Sequence, residues 1–197
     1  MKKYSLIYAD PPWTYNDKCN AGKRGAEFKY DCMSVNEICN LDIASITAPD
    51  CLLAMWWTGP MIQEALRVVH GWGFTLKNAT GFTWCKKTKH DKWAFGMGHY
   101  TRGNAENCLF AVKGKPKRVN AGVRQLVIDQ VREHSRKPDI VRDSLVTLMG
   151  DVTRLEMFAR DSRDVIPFED TMKGWDLFGH EVKNSIHISS SVLKEEL

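Results

Sequence analysis

Apolar residues along this chain gather into short runs, separated by polar segments that carry glycine and proline. The first run, Tyr4 to Ala9, is long enough for one buried strand and too short for a core helix. Cys51 to Trp57 is apolar throughout, as a strand covered on both faces requires. Phe74 to Cys85, Asn107 to Val112, Val123 to Val131, Thr153 to Ala159 and Trp175 to Gly179 read as further strands. Between them the pattern becomes helical. Ser34-Val35-Asn36-Glu37 is a capping box and predicts a helix start, with Ile38, Leu41 and Ile46 on its apolar side. Thr58-Gly59-Pro60 opens a second helix, with Ile62, Leu66 and Val69 as its buried stripe and Gly71 at its end. A third follows Pro138-Asp139, with Ile140, Val141, Leu145 and Leu148 as its apolar positions. Helices alternating with strands that are apolar on both faces predict an α/β, Rossmann-like fold, mostly parallel, with helices on both faces of the sheet.

A length of 197 residues suits one domain with a real core. The chain shows no repeat and no linker, and its tail after Glu181 is polar. No apolar run approaches a membrane span. The stretch after Met1-Lys2-Lys3 is broken at once by Asp10-Pro11-Pro12, which is no signal peptide, so a cytoplasmic location is expected. The six cysteines form no C-x-x-C pair, which argues against a zinc site or a disulfide framework. Cys51 and Cys108 lie in apolar runs and read as small core residues. The formal net charge of +4 permits a polyanionic partner without requiring one.

The candidate chemistry sits where the first strand stops, at Asp10-Pro11-Pro12-Trp13. A Pro-Pro pair cannot continue a sheet ladder or enter a helix interior. The chain must turn stiffly at the carboxyl end of a strand, where open α/β sheets bind ligands. The Asp10 carboxylate and the Pro11 carbonyl then point outward with Trp13 beside them. Two such acceptors suit an exocyclic amine of a base, whose lone pair is delocalised into the ring. Trp13 would stack on that base. The alternative is an ordinary turn with a buried tryptophan. Thr14 to Asp31, with Tyr15 near its start, reads as a loop over this site. Two basic clusters flank the fourth strand: Lys86, Lys87, Lys89 and Lys92 before it, and Lys113, Lys115, Lys117 and Arg118 after it. Either could contact phosphates. Both cannot lie at one sheet edge, and the second is favoured because it leads toward Lys137.

Six patches, in order, resemble the MT-A70 family of adenine-N6 methyltransferases. They are Asp10-Pro11-Pro12-Trp13, Gly98-His99-Tyr100 through Glu106-Asn107-Cys108, Val112-Lys113-Gly114, Ser135-Arg136-Lys137-Pro138-Asp139, Leu155-Glu156-Met157-Phe158-Ala159-Arg160, and Gly174-Trp175-Asp176 to Gly179-His180-Glu181. The resemblance covers nearly the whole chain. It implies a methyltransferase domain over residues 1–181 followed by a polar tail, 182–197. It implies S-adenosylmethionine as methyl donor, no metal, and a permuted order in which the catalytic strand precedes the cofactor strand. Asp10, Pro11, Pro12 and Trp13 would be catalytic. Asp10, Lys137, Glu156, Met157, Phe158, Arg160, His180 and Glu181 would hold the cofactor. Trp13, Tyr15, Glu106, Lys115, Lys117 and Arg118 would meet the nucleic acid. The family usually has Leu in place of Met157 and Asn in place of His180. Lacking appended domains, the chain resembles the DNA-modifying members, so DNA is the expected substrate. An RNA methyltransferase and a catalytically silent nucleic-acid-binding subunit are the alternatives.

Overall fold

In the computed structural model, which describes residues 2–13, 33–96, 98, 100–132, 136–159, 172–180 and 182–190, the apolar runs become the strands of one sheet. They are β1 (Tyr4–Ala9), β2 (Thr47–Trp57), β3 (Thr75–Lys87), β4 (Ala105–Lys113), β5 (Leu126–Gln130), β6 (Arg154–Met157) and β7 (Asp176–Phe178), ordered β5-β3-β4-β2-β1-β6-β7. β1 pairs in parallel with β2 and β6, β3 with β5, and β6 with β7. β4 is antiparallel to both its neighbours, β2 and β3. The sheet is therefore mixed. All its strands but β4 share one direction, so the carboxyl ends of β1, β2, β3, β5 and β6 meet the amino end of β4 along one edge.

Lys86 and Lys87, placed by sequence beyond the strand ending at Cys85, are the last residues of β3, because β5 extends the ladder to Lys86↔Asp129 and Lys87↔Gln130. Helix α1 (Val35–Cys39) starts at the expected box: the Ser34 Oγ accepts the Glu37 N–H at 3.2 Å, and the Ser34 N–H donates to Glu37 Oε2 at 2.7 Å. It stops sooner than expected, so Leu41 and Ile46 are buried from outside it. Helix α2 (Ile62–Gly71) follows a 3₁₀ turn holding Pro60 and buries Ala65, Val68 and Val69, while Ile62 and Leu66 are half-buried. Its left-handed terminator is Gly73 (φ 77°), two residues beyond the expected stop, with the Phe74 N–H returning to the Val69 carbonyl at 2.9 Å. A Cβ on Gly73 would meet nothing within 4 Å, so Gly73→Ala tests backbone strain alone. It is expected to lower stability by about 1 kcal/mol, read as a shift of denaturant midpoint at constant slope.

Side chains of β1 alternate between two cores. Ile7 and Ala9 join α1 and α2 through Ile38, Ala65, Val68 and Val69. Leu6 and Tyr8 join helix α3 (Ile140–Met149) through Val141, Leu145 and Met149. Ile140, placed on the apolar side by sequence, is exposed at the first turn of α3. Helices thus cover both faces. After β1 the next described element, α1, packs on one face; after β6, beyond Phe158, the described residues Ala159, Met172 and Trp175 pack on the other. Neighbouring strands whose chain exits diverge in this way leave a crevice at their carboxyl ends. Among the described residues no helix is long and apolar enough to cross a membrane.

Candidate active site at the carboxyl edge of the sheet

Asp10 directly follows β1, in that crevice. Its N–H faces the Met157 carbonyl of β6 at 3.5 Å, at the limit of a hydrogen bond. Its carboxylate accepts a hydrogen bond from Lys137 Nζ at 2.9 Å, across 127 residues of sequence. The same ammonium lies 3.4 Å from Glu106 Oε2, at the amino end of β4. Glu106 Oε1 is bound in turn by Lys86 from the end of β3. Four charges from four segments so form one row: Asp10, Lys137, Glu106, Lys86. Its floor is aromatic, with Lys137 Nζ 5.7 Å from the Trp56 ring centre and Lys86 Nζ 4.9 Å from that of Trp84. Trp56 Nε1 donates to the Tyr8 hydroxyl at 2.6 Å, which satisfies a buried indole.

Burial pushes the Lys137 ammonium toward a lower pKa, but the carboxylates of Asp10 and Glu106 outweigh it and hold the group above its ordinary value. Burial pushes Glu106 upward, and Lys137 and Lys86 outweigh that, leaving its carboxyl below the usual range. Lys137 and Glu106 are therefore both charged throughout the neutral range. The Lys137 and Glu106 side chains are 11% and 19% exposed and the ends of the row, Asp10 and Lys86, 25% and 22%, so both ends reach solvent. Cys108, near both Asp10 and Lys137, has its thiol pushed well up by burial, and burial pushes Cys51 up to about 12; both are inert core thiols.

The acid-proline turn differs in one respect from expectation. Trp13 is only 5% exposed, and its indole N–H donates to the Trp56 carbonyl at 3.3 Å. A desolvated indole needs an acceptor, and this one turns the ring into the core rather than out as an open stacking face. The Pro11 carbonyl accepts the Trp13 N–H at 2.9 Å and keeps its second lone pair.

A second charged network backs the first. Arg142 on α3 makes a bidentate pair with Glu156, Nε to Oε2 at 2.5 Å and Nη2 to Oε1 at 2.8 Å, and donates to Asp139 Oδ1 at 2.7 Å. Asp139 also takes Arg132 and, at 3.0 Å, Arg136. Glu156 is thus occupied by a partner that the sequence pattern did not supply. Met157 and Phe158 follow it at the end of β6. Phe158 has φ 61°, a left-handed conformation that costs a non-glycine residue on the order of 1 kcal/mol. Gly179 lies against this turn: a Cβ there would collide with the Ala159 carbonyl oxygen. His180 is exposed just beyond. Tyr15, Arg160 and Glu181 lie outside the described residues, as does the loop reading for Thr14 to Asp31.

The basic clusters fall opposite to expectation. Lys113 pairs with Cys51 at the start of the buried run of β2, and the Lys115 N–H donates to Asp50 Oδ1 at 2.6 Å. Lys115, Lys117 and Arg118 therefore follow the amino edge of the sheet, away from Asp10. The cause is the reversed β4, which carries the chain from the site edge to the far edge between the two clusters. Lys86 to Lys92 is the cluster at the site.

A family model for MT-A70 matches residues 4–179. The chain belongs to the MT-A70 family. Over 93% of its length it is 34% identical to the type II methyltransferase M.MunI of Mycoplasma sp., and it spans 80% of that protein. It is 26% identical to an Arabidopsis thaliana N(6)-adenosine-methyltransferase MT-A70-like protein and 25% identical to the human N(6)-adenosine-methyltransferase catalytic subunit METTL3. It spans about a quarter of each of those, 25% and 26%. As an MT-A70 protein the chain is an S-adenosylmethionine-dependent adenine methyltransferase. Sequence assigned no site role to Trp56, Trp84 or Arg142; it read Lys86 as a phosphate candidate rather than as the partner of Glu106, and it placed Asp139 in a family patch without its arginine partners. The spacing Arg136, Asp139, Arg142 at i,i+3 was the available signal for the second network.

Proposed function

We propose that this chain methylates N6 of adenine in DNA, with Asp10 and the Pro11 carbonyl as acceptors for the target amine. The observation that carries this reading is the Lys137 ammonium shared by Asp10 and Glu106 at the end of β1. A cation beside two carboxylates fits the zwitterionic amino-acid end of S-adenosylmethionine: Lys137 toward its carboxylate, Asp10 toward its ammonium. The left-handed Phe158 and the close-packed Gly179 form a backbone cradle in keeping with the adenosine end, with Met157 and His180 next to them in the chain; the family resemblance adds Arg160 and Glu181, outside the described residues, as cofactor-holding residues. Glu156 would act there through Arg142. Bound S-adenosylmethionine supplies an electrophilic methyl group on a sulfonium.

The chain's own residues supply position. Asp10 and the Pro11 carbonyl take the two N–H bonds of the amine and turn its lone pair out of conjugation. Pro12 stiffens the turn. Trp13, packed inward, forms its wall rather than an open platform. The methylated nitrogen is acidic, and its surplus proton leaves to Asp10 or water. Holding the reactants at about 3 Å in a dry crevice is the largest contribution. Glu106 positions Lys137. A target base in a duplex is flipped out to reach Asp10.

We read the architecture as a Rossmann-like class I methyltransferase fold in permuted order, β1 catalytic and β6 carrying the cofactor, in a cytoplasmic protein. Residues 1–181 would form the catalytic domain, and 182–197 a tail. DNA is favoured over RNA because the chain spans 80% of the bacterial relative and only about a quarter of the two eukaryotic proteins named for adenosine methylation. Incorporation of labelled methyl into DNA and RNA of the same sequence tests this. Incorporation into RNA alone would sink the DNA reading, and none into either would leave a silent binding subunit.

Lys89 and Lys92 are exposed at the site edge and are the candidates for phosphate contact. Removing one phosphate-bound cation should reduce the slope of log affinity against log salt by about 0.9. Lys89→Ala with Lys92→Ala is therefore expected to flatten the slope by about 2, with cofactor affinity unchanged. Neutralising Lys115, Lys117 and Arg118 together should do less. A larger effect from that far-edge trio, in a filter-binding salt titration, would refute the edge assignment.

A further inference from the structure

The connection between β3 and β4 is longer than a hairpin needs, and it rises from the edge that holds Asp10. The Lys92 carbonyl accepts the Thr88 N–H at 2.7 Å, which folds the chain back, and Trp93 bridges to Lys87. Gly96 and Gly103 then close a second loop, with the Gly96 N–H on the Gly103 carbonyl at 2.7 Å. A Cβ on Gly96 would collide with that carbonyl oxygen, so only glycine lets the two strands meet there. This construction presents aromatics to water. Trp93 is 50% exposed, Phe95 81%, and Tyr100 fully exposed at the loop tip. Single exposed aromatics are common, but three on one loop mark a contact surface.

The charge around them identifies the partner. Between Lys86 and Asn104 stand Lys86, Lys87, Lys89, Lys92 and Arg102 against the single acid Asp91. Lys87 Nζ already sits 4.2 Å from the Trp93 ring centre. Cations interleaved with exposed rings suit stacked bases and their phosphates, and suit an apolar protein face poorly.

The geometry points to this loop as a wedge that enters the duplex beside the target adenine, with Tyr100 and Phe95 filling the stack that the flipped base leaves. The assignment rests on the nucleic-acid reading of the Asp10 site. It explains why the rings stand at that edge: extrusion of a base costs unstacking, and an inserted ring restores part of it.

The test compares two duplexes with the whole chain: one with the target adenine paired, one with it opposite an abasic site and already unstacked. Tyr100→Ala and Phe95→Ala are expected to lower kcat/KM at least about tenfold on the paired duplex and less than about threefold on the other. Tyr100→Trp should restore the paired rate. Both side chains are exposed, so folding is not at stake, and cofactor affinity should not change. Equal losses on both duplexes, or no loss on either, overturn the wedge while leaving the methyltransferase reading intact. A wild-type chain inert on both duplexes overturns that reading and the wedge with it. Conversion of a wild-type dimer to a monomer by these substitutions, seen by light scattering, assigns the face to a second copy and also overturns the wedge.

Discussion

Asp10→Ala is expected to abolish methyl transfer while the protein stays folded. The side chain follows β1 and is outside both apolar cores, so its loss opens no cavity in them. Lys137 would keep Glu106 as counterion, and the charged row would shorten without leaving a bare buried cation. The amine, however, would lose the acceptor that draws its lone pair out of the ring. Loss of one preorganised polar group at a reacting centre costs on the order of 10²–10³ in rate. Here the loss should be at least that, because the same carboxylate is assigned to the cofactor ammonium. Asp10→Asn keeps an oxygen acceptor and loses the charge, so it should retain more activity than alanine at saturating cofactor. The readouts are single-turnover methylation, calorimetric cofactor affinity and the thermal midpoint. Near-normal turnover by a folded Asp10→Ala protein would remove the catalytic assignment.

That the first strand ends in a turn at Asp10, the start of the candidate site, was legible because proline is local chemistry. Two missing N–H groups after an apolar strand force a turn whatever the rest of the chain does. The capping box at Ser34 was legible for the same reason. What sequence could not supply was direction. The run from Asn107 to Val112 reads as a strand in either orientation, and the reversal of β4 decides which basic cluster faces Asp10. The side-chain period is the same both ways, so the pattern carried no sign of it. Lys86 shows a related limit. In a row of lysines it looks solvated, yet β5 lengthens β3 by two residues and brings it to Glu106. Trp13 shows a third. An aromatic beside an acid reads as a stacking face, and only the Trp56 carbonyl behind it shows that the ring points inward.

Replacement of Lys137 should produce the other large effect, and its pH dependence separates a binding role from a packing one. Lys137→Gln removes the cation between Asp10 and Glu106. Glu106 retains Lys86, so Asp10 loses the most. Breaking a fully buried pair costs about 3–5 kcal/mol; with a quarter of Asp10 exposed, the cost should be nearer 2 kcal/mol. The folded-state pKa of Lys137 is raised, so its contribution is complete below the unfolded value of about 10.4 and is lost as pH rises through the folded value. The folded-state pKa of Glu106 is lowered, so its contribution is present above about 4.3 and is lost as pH falls through the folded value. The stability gap between wild type and Lys137→Gln should thus be flat from about pH 5 to 10 and close at both extremes. Cofactor affinity measured at low temperature, where both proteins are folded, should fall at least about tenfold, because an ammonium against a carboxylate is a charge-assisted hydrogen bond. DNA affinity should change little, since phosphate contact is assigned to Lys89 and Lys92. A stability gap with unchanged cofactor affinity would leave Lys137 as a strut for Asp10 and move the carboxylate site elsewhere along the edge.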